Sequence, residues 1–466
     1  MPVSATYRPK PRITTLGDGY FDEVSAASFP KHVLRFRNQR QASRVGLGDL
    51  DAAEWERHFA AFAPLPENLA EPLALRYHGH QFDVYNPDLG DGRGFLFAQL
   101  EADDGRLLDL GTKGSGATPW SRGGDGKLTL KGGVREVLAT EMLEALGVTT
   151  SKTFSLFETG QALMRGDEPS PTRSSVLVRL SHSHVRFGTF QRLAYLKDTE
   201  RLDRLVSYTL KHYFPAIEDG PNRIVELLGE VTRRAAALTA GWMVAGFVHG
   251  VLNSDNMNVT GESFDYGPYR FLPTYDVDFT AAYFDHQGLY AFGRQPGAVL
   301  RNLVRLAGSL RSLAPQLDMG AAIAGFEEAF DSAVTKGVLA RLGLVSRAEA
   351  GTDSELVAAA YAFLEASKVG YDRFFFDMYG GRVRESQALA GEAGHVYEGP
   401  AWETLRAVLK DYEPRSAVTP VYFEGLRPCT LLIDEVEAIW EPIAASDDWS
   451  LFYEKIEKIR EMPRIA

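Results

Sequence analysis

The stretch His249-Gly250-Val251-Leu252-Asn253-Ser254-Asp255-Asn256, followed nine residues later by Asp265-Tyr266-Gly267, concentrates polar chemistry at one point of the chain. It comes directly after Ile224, Leu227, Leu228, Val231, Ala235, Leu238, Trp242 and Ala245, whose helical spacing predicts a long amphipathic helix ending at Phe247-Val248-His249-Gly250. Taken in isolation, the stretch reads equally well as an Asn/Asp-rich turn closing that helix. Asn256 and Asp265, however, carry hard oxygen donors suited to Mg2+ (or Mn2+) bridging phosphates.

The residues upstream shift the balance. Leu89 to Gly94 reads as a turn, Phe95 to Glu101 as a strand, Asp103-Asp104-Gly105 as a hairpin signal and Arg106 to Lys113 as a second strand. A Gly-rich stretch, Gly114 to Gly126, leads to a helix in which Val134, Val137, Leu138, Met142, Ala145 and Leu146 follow the 3.6-residue period up to Gly147. Short strands are predicted at Ser151 to Glu158 and Ser175 to Leu180, divided by the turn-rich Gly166 to Pro171.

A glycine hairpin (Gly90, Gly92, Gly94), a strand-borne Lys113 and an acid in the following helix, Glu136, form the layout by which protein kinases hold nucleotide phosphates. Backbone N–H groups and a point charge meet the phosphates, and the carboxylate fixes the lysine. Glu141 is the competing acid; lying on the apolar stripe of the same helix, it needs a partner if buried. The Walker-like Gly123-Gly124-Asp125-Gly126-Lys127 fails, because Ser121 stands for the first glycine and Leu128 for the metal-binding hydroxyl.

His249 and Asn256 keep the spacing of a kinase catalytic loop, and Asp265-Tyr266-Gly267 stands where a kinase has Asp-Phe-Gly. Val251 occupies the place of the catalytic aspartate. A valine takes no proton from a hydroxyl, so Asp255 is the nearest replacement for the missing base. A third cluster, Arg179-Leu180-Ser181-His182-Ser183-His184-Val185-Arg186, offers two forked cations for phosphate. His182 and His184 lack third and fourth zinc ligands at useful spacing and read as structural.

The expected fold is α+β and bilobal, protein-kinase-like, with a β-rich N-lobe carrying one key helix and a helical C-lobe. Residues 1–70 read as an irregular N-terminal extension with one short helix around Leu50 to Phe62, 71–190 as the N-lobe, 191–380 as the C-lobe with the catalytic and metal loops, and 381–466 as a divergent helical C-terminal region. Further helical patterns lie at 295–312, 319–342, 353–370 and 433–461, with a loop near 390–399.

Composition sets the outer bounds. A net charge of −12 over 466 residues argues against a generally basic nucleic-acid binder but allows a local positive pocket. One cysteine, Cys429, forms no intrachain disulfide, which makes a reducing, cytoplasmic setting the expectation. No signal peptide is evident, and the run Ala235 to Val248 is shorter than the ~20 residues a bilayer needs, so no membrane partner is expected.

The runs Tyr77-His78-Gly79-His80-Gln81-Phe82, Leu89 to Gly94, Lys113-Gly114, Thr118-Pro119 with Ser121-Arg122 and Asp125-Gly126, Arg135-Glu136, Ser181 to Phe190, and Gly246 to Asn256 with Asp265-Tyr266-Gly267-Pro268 resemble the selenoprotein O family of pseudokinase-fold protein adenylyltransferases. The resemblance spans roughly residues 70–310. It implies ATP bound in an orientation reversed relative to kinases, with AMP passed to Ser, Thr or Tyr hydroxyls of proteins and pyrophosphate released. It further implies that Gly90, Gly92, Arg93, Lys113, Asp125, Gly126, Arg179, Arg186 and Asp265 bind ATP. Glu136 pairs with Lys113, Asp255 is the general base, and Asn256 and Asp265 hold Mg2+ (or Mn2+).

The chain departs from the family pattern at Asp83, where Gly is usual, and at Ser254, where Thr is usual. Family members commonly carry a cysteine or selenocysteine near the C-terminus; Cys429 lies well inside, so redox control through such a residue is not expected here. UMP transfer, γ-phosphoryl transfer and a catalytically silent ATP-binding scaffold are the competing functions.

Overall fold

The computed structural model describes residues 4–464 except 167, 348 and 350. The first part of the chain builds one antiparallel sheet. Its elements are β1 (Phe21–Glu23), β2 (Val33–Arg37), α1 (Gln39–Arg44), α2 (Ala52–Phe59), β3 (Leu73–Leu75), β4 (Gly79–Gln81), β5 (Val84–Asn86), β6 (Leu96–Glu101), β7 (Leu107–Lys113), β8 (Leu128–Thr129), α3 (Leu130–Ala145), β9 (Lys152–Leu163) and β10 (Thr172–Ser181). The sheet order is β1-β3-β6-β7-β10-β9-β2, with β8 also on β10, while β4 and β5 form a separate hairpin. The segment that reads as an irregular lead-in thus supplies both outer strands. β1 and β2 are short and carry Asp22, Glu23, Arg35 and Arg37, so no apolar alternation announces them; pairing with distant β3 and β9 creates them.

Strand alternation sorts the side chains of β7 and β10. Leu108, Leu110, Val176, Val178 and Leu180 join Trp55, Phe59 and Phe154 in the core beneath α2. Leu107 and Leu177 join Val134, Val137, Leu138 and Met142 of α3 on the opposite face. Asp109, Gly111, Lys113 and Arg179 share the parity of that second face, with Arg179 directly across from Gly111.

The later part of the chain is helical: α4 (Phe187–Tyr195), α5 (Thr199–Tyr213), α6 (Arg223–Ala245), α7 (Gln295–Leu310), α8 (Met319–Ala324), α9 (Phe326–Arg341), α10 (Thr352–Ser367), α11 (Tyr371–Asp377), α12 (Glu385–Ala390), α13 (Gly399–Leu409), α14 (Ile433–Ser446) and α15 (Ser450–Glu461). The pattern at 319–342 divides at Gly325, and that at 433–461 divides at Asp447, which adopts a left-handed φ of 55°. α6 stops at Gly246, whose φ of 64° is left-handed and whose N–H bonds back to Trp242 and Met243. The chain then enters β11 (Phe247–Val248), which pairs antiparallel with β12 (Arg270–Phe271). Residues 249–269 are therefore one excursion with its two ends clamped together, and it carries both Asp255 and Asp265. Among the described residues, no helix is long and apolar enough to cross a membrane.

Candidate functional site

A cavity of about 500 Å3 opens between β7, α3 and the 266–270 segment. Seven of its lining side chains are cationic, Arg93, Lys113, Lys127, Lys131, Arg135, Arg165 and Arg270, against three acids, Glu136, Glu168 and Glu437. The local positive pocket allowed by the composition is present in a chain of net charge −12.

Lys113, at the end of β7, is buried and ion-pairs with Glu136 of α3. Its Nζ also lies 2.5 Å from Asp265 Oδ1. Glu136 is thus the partner, as the sequence favours, and Glu141, the alternative acid, is taken elsewhere: it is buried, and Arg460 of α15 reaches it at 2.8 and 3.0 Å, with Asn38 Nδ2 at 3.3 Å. Around the same Asp265 oxygen lie Arg179 Nη1 at 3.8 Å and Arg93 Nη2 at 4.0 Å. Burial opposes ionisation of Asp265, but Lys113, Arg93, Arg179 and Arg186 outweigh it and hold the carboxyl well below the usual range. Asp265 itself has a φ of 66°, a left-handed conformation that Asp tolerates better than most side chains.

Asp255 meets the opposite environment. It lies in a short 3-10 turn, Ser254–Asn256, is buried, and its Oδ1 has no hydrogen-bond partner among the described residues. Burial pushes its carboxyl up to about 6, against the pull of Arg186. The backbone of Gly79 closes over it; a Cβ there would stand 2.7 Å from Oδ1. The β4–β5 hairpin is tied to this turn: Ser254 Oγ accepts the His80 N–H at 2.8 Å and donates to Gln191 Oε1 at 2.6 Å, and Asn253 Oδ1 accepts the Phe82 N–H at 3.1 Å. Ser254 uses only the hydroxyl that it shares with Thr. Asp83 follows Phe82 at a φ of 64°, which explains why glycine suits the position, and its carboxylate is held by Arg305 at 2.5 Å.

Arg186 links the glycine turn to this loop. Nη2 donates to Asp91 Oδ1 at 3.2 Å and Nη1 to the Asp255 carbonyl at 3.0 Å, while the guanidinium lies 4.5 Å from the Tyr77 ring and 4.8 Å from Phe264. Asn256 is partly exposed; its backbone N–H donates to the Asn253 carbonyl at 3.0 Å, while its side-chain amide has no hydrogen bond among the described residues. His249 is buried, its Nε2 3.0 Å from the Phe264 carbonyl, so it braces the two halves of the excursion. Burial depresses its basicity.

Other expected residues sit further out. Gly90 and Gly92 make room for Trp120: a Cβ would fall 2.4 Å from the indole at Gly90 and 2.6 Å from the Trp120 carbonyl at Gly92. Asp125 is exposed and bound to Arg165 at 3.0 Å, so Arg165 rather than Asp125 faces the cavity. Gly126 has a φ of 65° and packs on the Gly116 carbonyl. His182 packs edge-on against Tyr213, and burial pushes its ring down to about 3. Among the described residues, no group of three or more His, Cys, Asp or Glu side chains forms a ready metal cage. Cys429 is half-buried, with its thiol pushed up to about 11 by burial, an unreactive state.

Motif reading missed Asp91 and Phe264. Asp91 is a buried acid between two glycines, and Phe264 sits against both Arg179, at 5.2 Å, and Arg186. A polar residue enclosed in a glycine turn was the available signal for the first; the second had none, because apolar residues are common before any turn.

A basic cavity whose Lys113 meets a carboxylate held ionised, with a second buried carboxylate pushed up to about 6 in the same excursion, has the make-up of an enzyme site that handles phosphate esters. The family model for protein adenylyltransferase SelO matches residues 3–460, and the chain belongs to that family of nucleotidyltransferases. It is 45% identical to the protein nucleotidyltransferase YdiU of Synechocystis sp. over 98% of both chains. It is 43% identical to that of Trichormus variabilis, covering 98% of this chain and 96% of the relative, and 44% identical to that of Gloeobacter violaceus with the same coverage.

Proposed function

We propose that this chain transfers AMP from ATP to a Ser, Thr or Tyr hydroxyl of an acceptor protein, on a bilobal kinase-like frame in which the sheet forms one lobe and the helices the other. The observation that carries the proposal is Asp255, a buried carboxylate with an unpartnered oxygen, in a loop whose usual catalytic position is Val251. ATP binds with its orientation reversed relative to kinases, so that the α-phosphate faces the acceptor.

Arg93, Lys113, Arg179 and Arg186 gather around the phosphate chain and offset its charge, while Glu136 holds Lys113 in place. Gly90, Gly92, Asp125 and Gly126 shape the loops around it. Asp255 accepts the proton of the acceptor hydroxyl as its oxygen bonds to the α-phosphorus and the bond from that phosphorus to the bridging oxygen breaks, releasing pyrophosphate. The donor set fits Mg2+ (or Mn2+): Asn256 offers a side-chain amide oxygen free of hydrogen bonds among the described residues and Asp265 an ionised carboxylate, and such ions take one or two protein oxygens besides phosphate. When bound, the ion would neutralise charge on the phosphates. A cytoplasmic setting accords with the single, unreactive cysteine.

Incubation with an acceptor protein and ATP labelled at the α or the γ position tests the proposal. Label retained on protein from the α position alone is expected; retention from the γ position alone overturns AMP transfer, and preferential use of α-labelled UTP replaces it with UMP transfer. ATP binding with no modification of any protein identifies a silent scaffold.

A further inference from the structure

Behind Arg179 runs a buried polar chain that the transfer reaction does not require by its chemistry. Gly111 on β7 leaves a gap opposite Arg179, and the His184 ring fills it: a Cβ on Gly111 would stand 2.0 Å from Nε2. Arg179 Nε faces that same Nε2 at 3.4 Å. An arginine can only donate, so Nε2 is the unprotonated nitrogen and Nδ1 carries the hydrogen, pointing to Asp109 Oδ2 at 3.3 Å. Asp109 is in turn anchored, its Oδ2 accepting the His184 backbone N–H at 2.9 Å and its Oδ1 accepting from Gln99 Nε2 at 2.7 Å. Asp109, His184 and Arg179 are all buried.

The other end of the chain is open. Arg179 Nη1 is buried with no hydrogen-bond partner among the described residues, 3.8 Å from Asp265 Oδ1. Leaving a buried donor unsatisfied is costly, and a ligand oxygen that completes it recovers the loss. One edge of the guanidinium is therefore tied down and the other faces Asp265, the carboxylate that Lys113 of the cavity wall also meets.

We infer that Asp109 and His184 are positioning residues, which lock the Nε edge of Arg179 through the imidazole so that its Nη edge meets the phosphates of the bound nucleotide. The inference rests on the nucleotide-transfer reading above. It also gives a role to a histidine that the sequence marks only as structural.

Two substitutions of similar polarity separate positioning from packing. His184→Gln keeps an oxygen near the place of Nε2, where it can accept from Arg179. His184→Asn reaches Asp109 but falls short of Arg179. ATP affinity with Mg2+, measured by equilibrium dialysis so that inactive variants remain readable, is expected to fall about 10- to 100-fold in His184→Asn and to recover within about threefold in His184→Gln. In an Arg179→Met background, His184→Asn is expected to weaken ATP binding no further, although thermal unfolding still registers its effect on packing. Equal losses in the two His184 variants, or the same fold-loss with and without Arg179, overturn the inference. Wild-type protein that binds ATP with either of those results refutes the positioning role alone, whereas wild-type protein that binds no ATP refutes the transfer reading and this inference with it.

Discussion

Asp255 and Asp265 lie in the same excursion between β11 and β12, yet their surroundings are opposite. Asp265 has Lys113 at 2.5 Å and two arginines within 4.0 Å, and stays ionised. Asp255 has a bare buried oxygen beneath Gly79 and is pushed up to about 6. The difference teaches how one loop divides labour: a carboxylate surrounded by cations suits charge binding, and a desolvated one suits proton transfer.

The largest expected break in this comparison is Asp255→Ala. Loss of a general base predicts AMP transfer about 10³-fold slower with ATP binding largely kept, read as a fall in kcat at nearly constant KM for ATP. Lys113→Ala acts on the other carboxylate. It leaves Glu136 and Asp265 short of a cation and predicts ATP binding about 10²-fold weaker along with lost transfer; unchanged kinetics would show that the lysine does not meet phosphate.

A stability measurement sharpens the contrast. The unfolded chain ionises Asp255 near the ordinary 3.8, whereas the folded chain keeps the proton until about 6. Stability from this group is therefore full below the ordinary value, falls as pH rises through that window, and stays lost above about pH 6. Asp255→Asn removes the penalty, so the ligand-free variant is expected to be more stable than wild type by up to about 3 kcal/mol near neutral pH, the gain shrinking toward pH 4. Urea unfolding across that range reads it; a variant no more stable at neutral pH would mean that Asp255 is not desolvated. The smallest effect is expected at Ser254. Ser254→Thr keeps the shared hydroxyl and changes transfer less than about twofold, whereas Ser254→Ala loosens the hairpin and costs about 1 kcal/mol.

Much of the site was legible because its chemistry is local. Lys113, Glu136, Asp255 and Asp265 were each marked by an element and a spacing, and the long helix, expected to end at Phe247 to Gly250 and stopping at Gly246, announced the excursion that carries the aspartates. The sequence favours Glu136 over Glu141 as the partner of Lys113, but what engages Glu141 was not legible, since it is Arg460, 319 positions away in sequence. The outer strands of the sheet were hidden for a similar reason: β2 pairs with β9, and its side chains carry no alternation of their own. Gly90 and Gly92 read as phosphate-loop glycines, and what folding adds is that a Cβ at either would collide with Trp120, a contact no local spacing announces.

The sequence by itself determined the family, the order of sheet and helices, and the kinds of side chain that the site would contain, because motif spacing and periodicity are properties of neighbouring residues. Only the tertiary structure decided what engages Glu141, which aspartate stays charged and which arginine edge is left free. Those outcomes depend on burial and on charges that folding brings together from distant segments, since the same carboxyl group keeps or loses its proton according to what surrounds it.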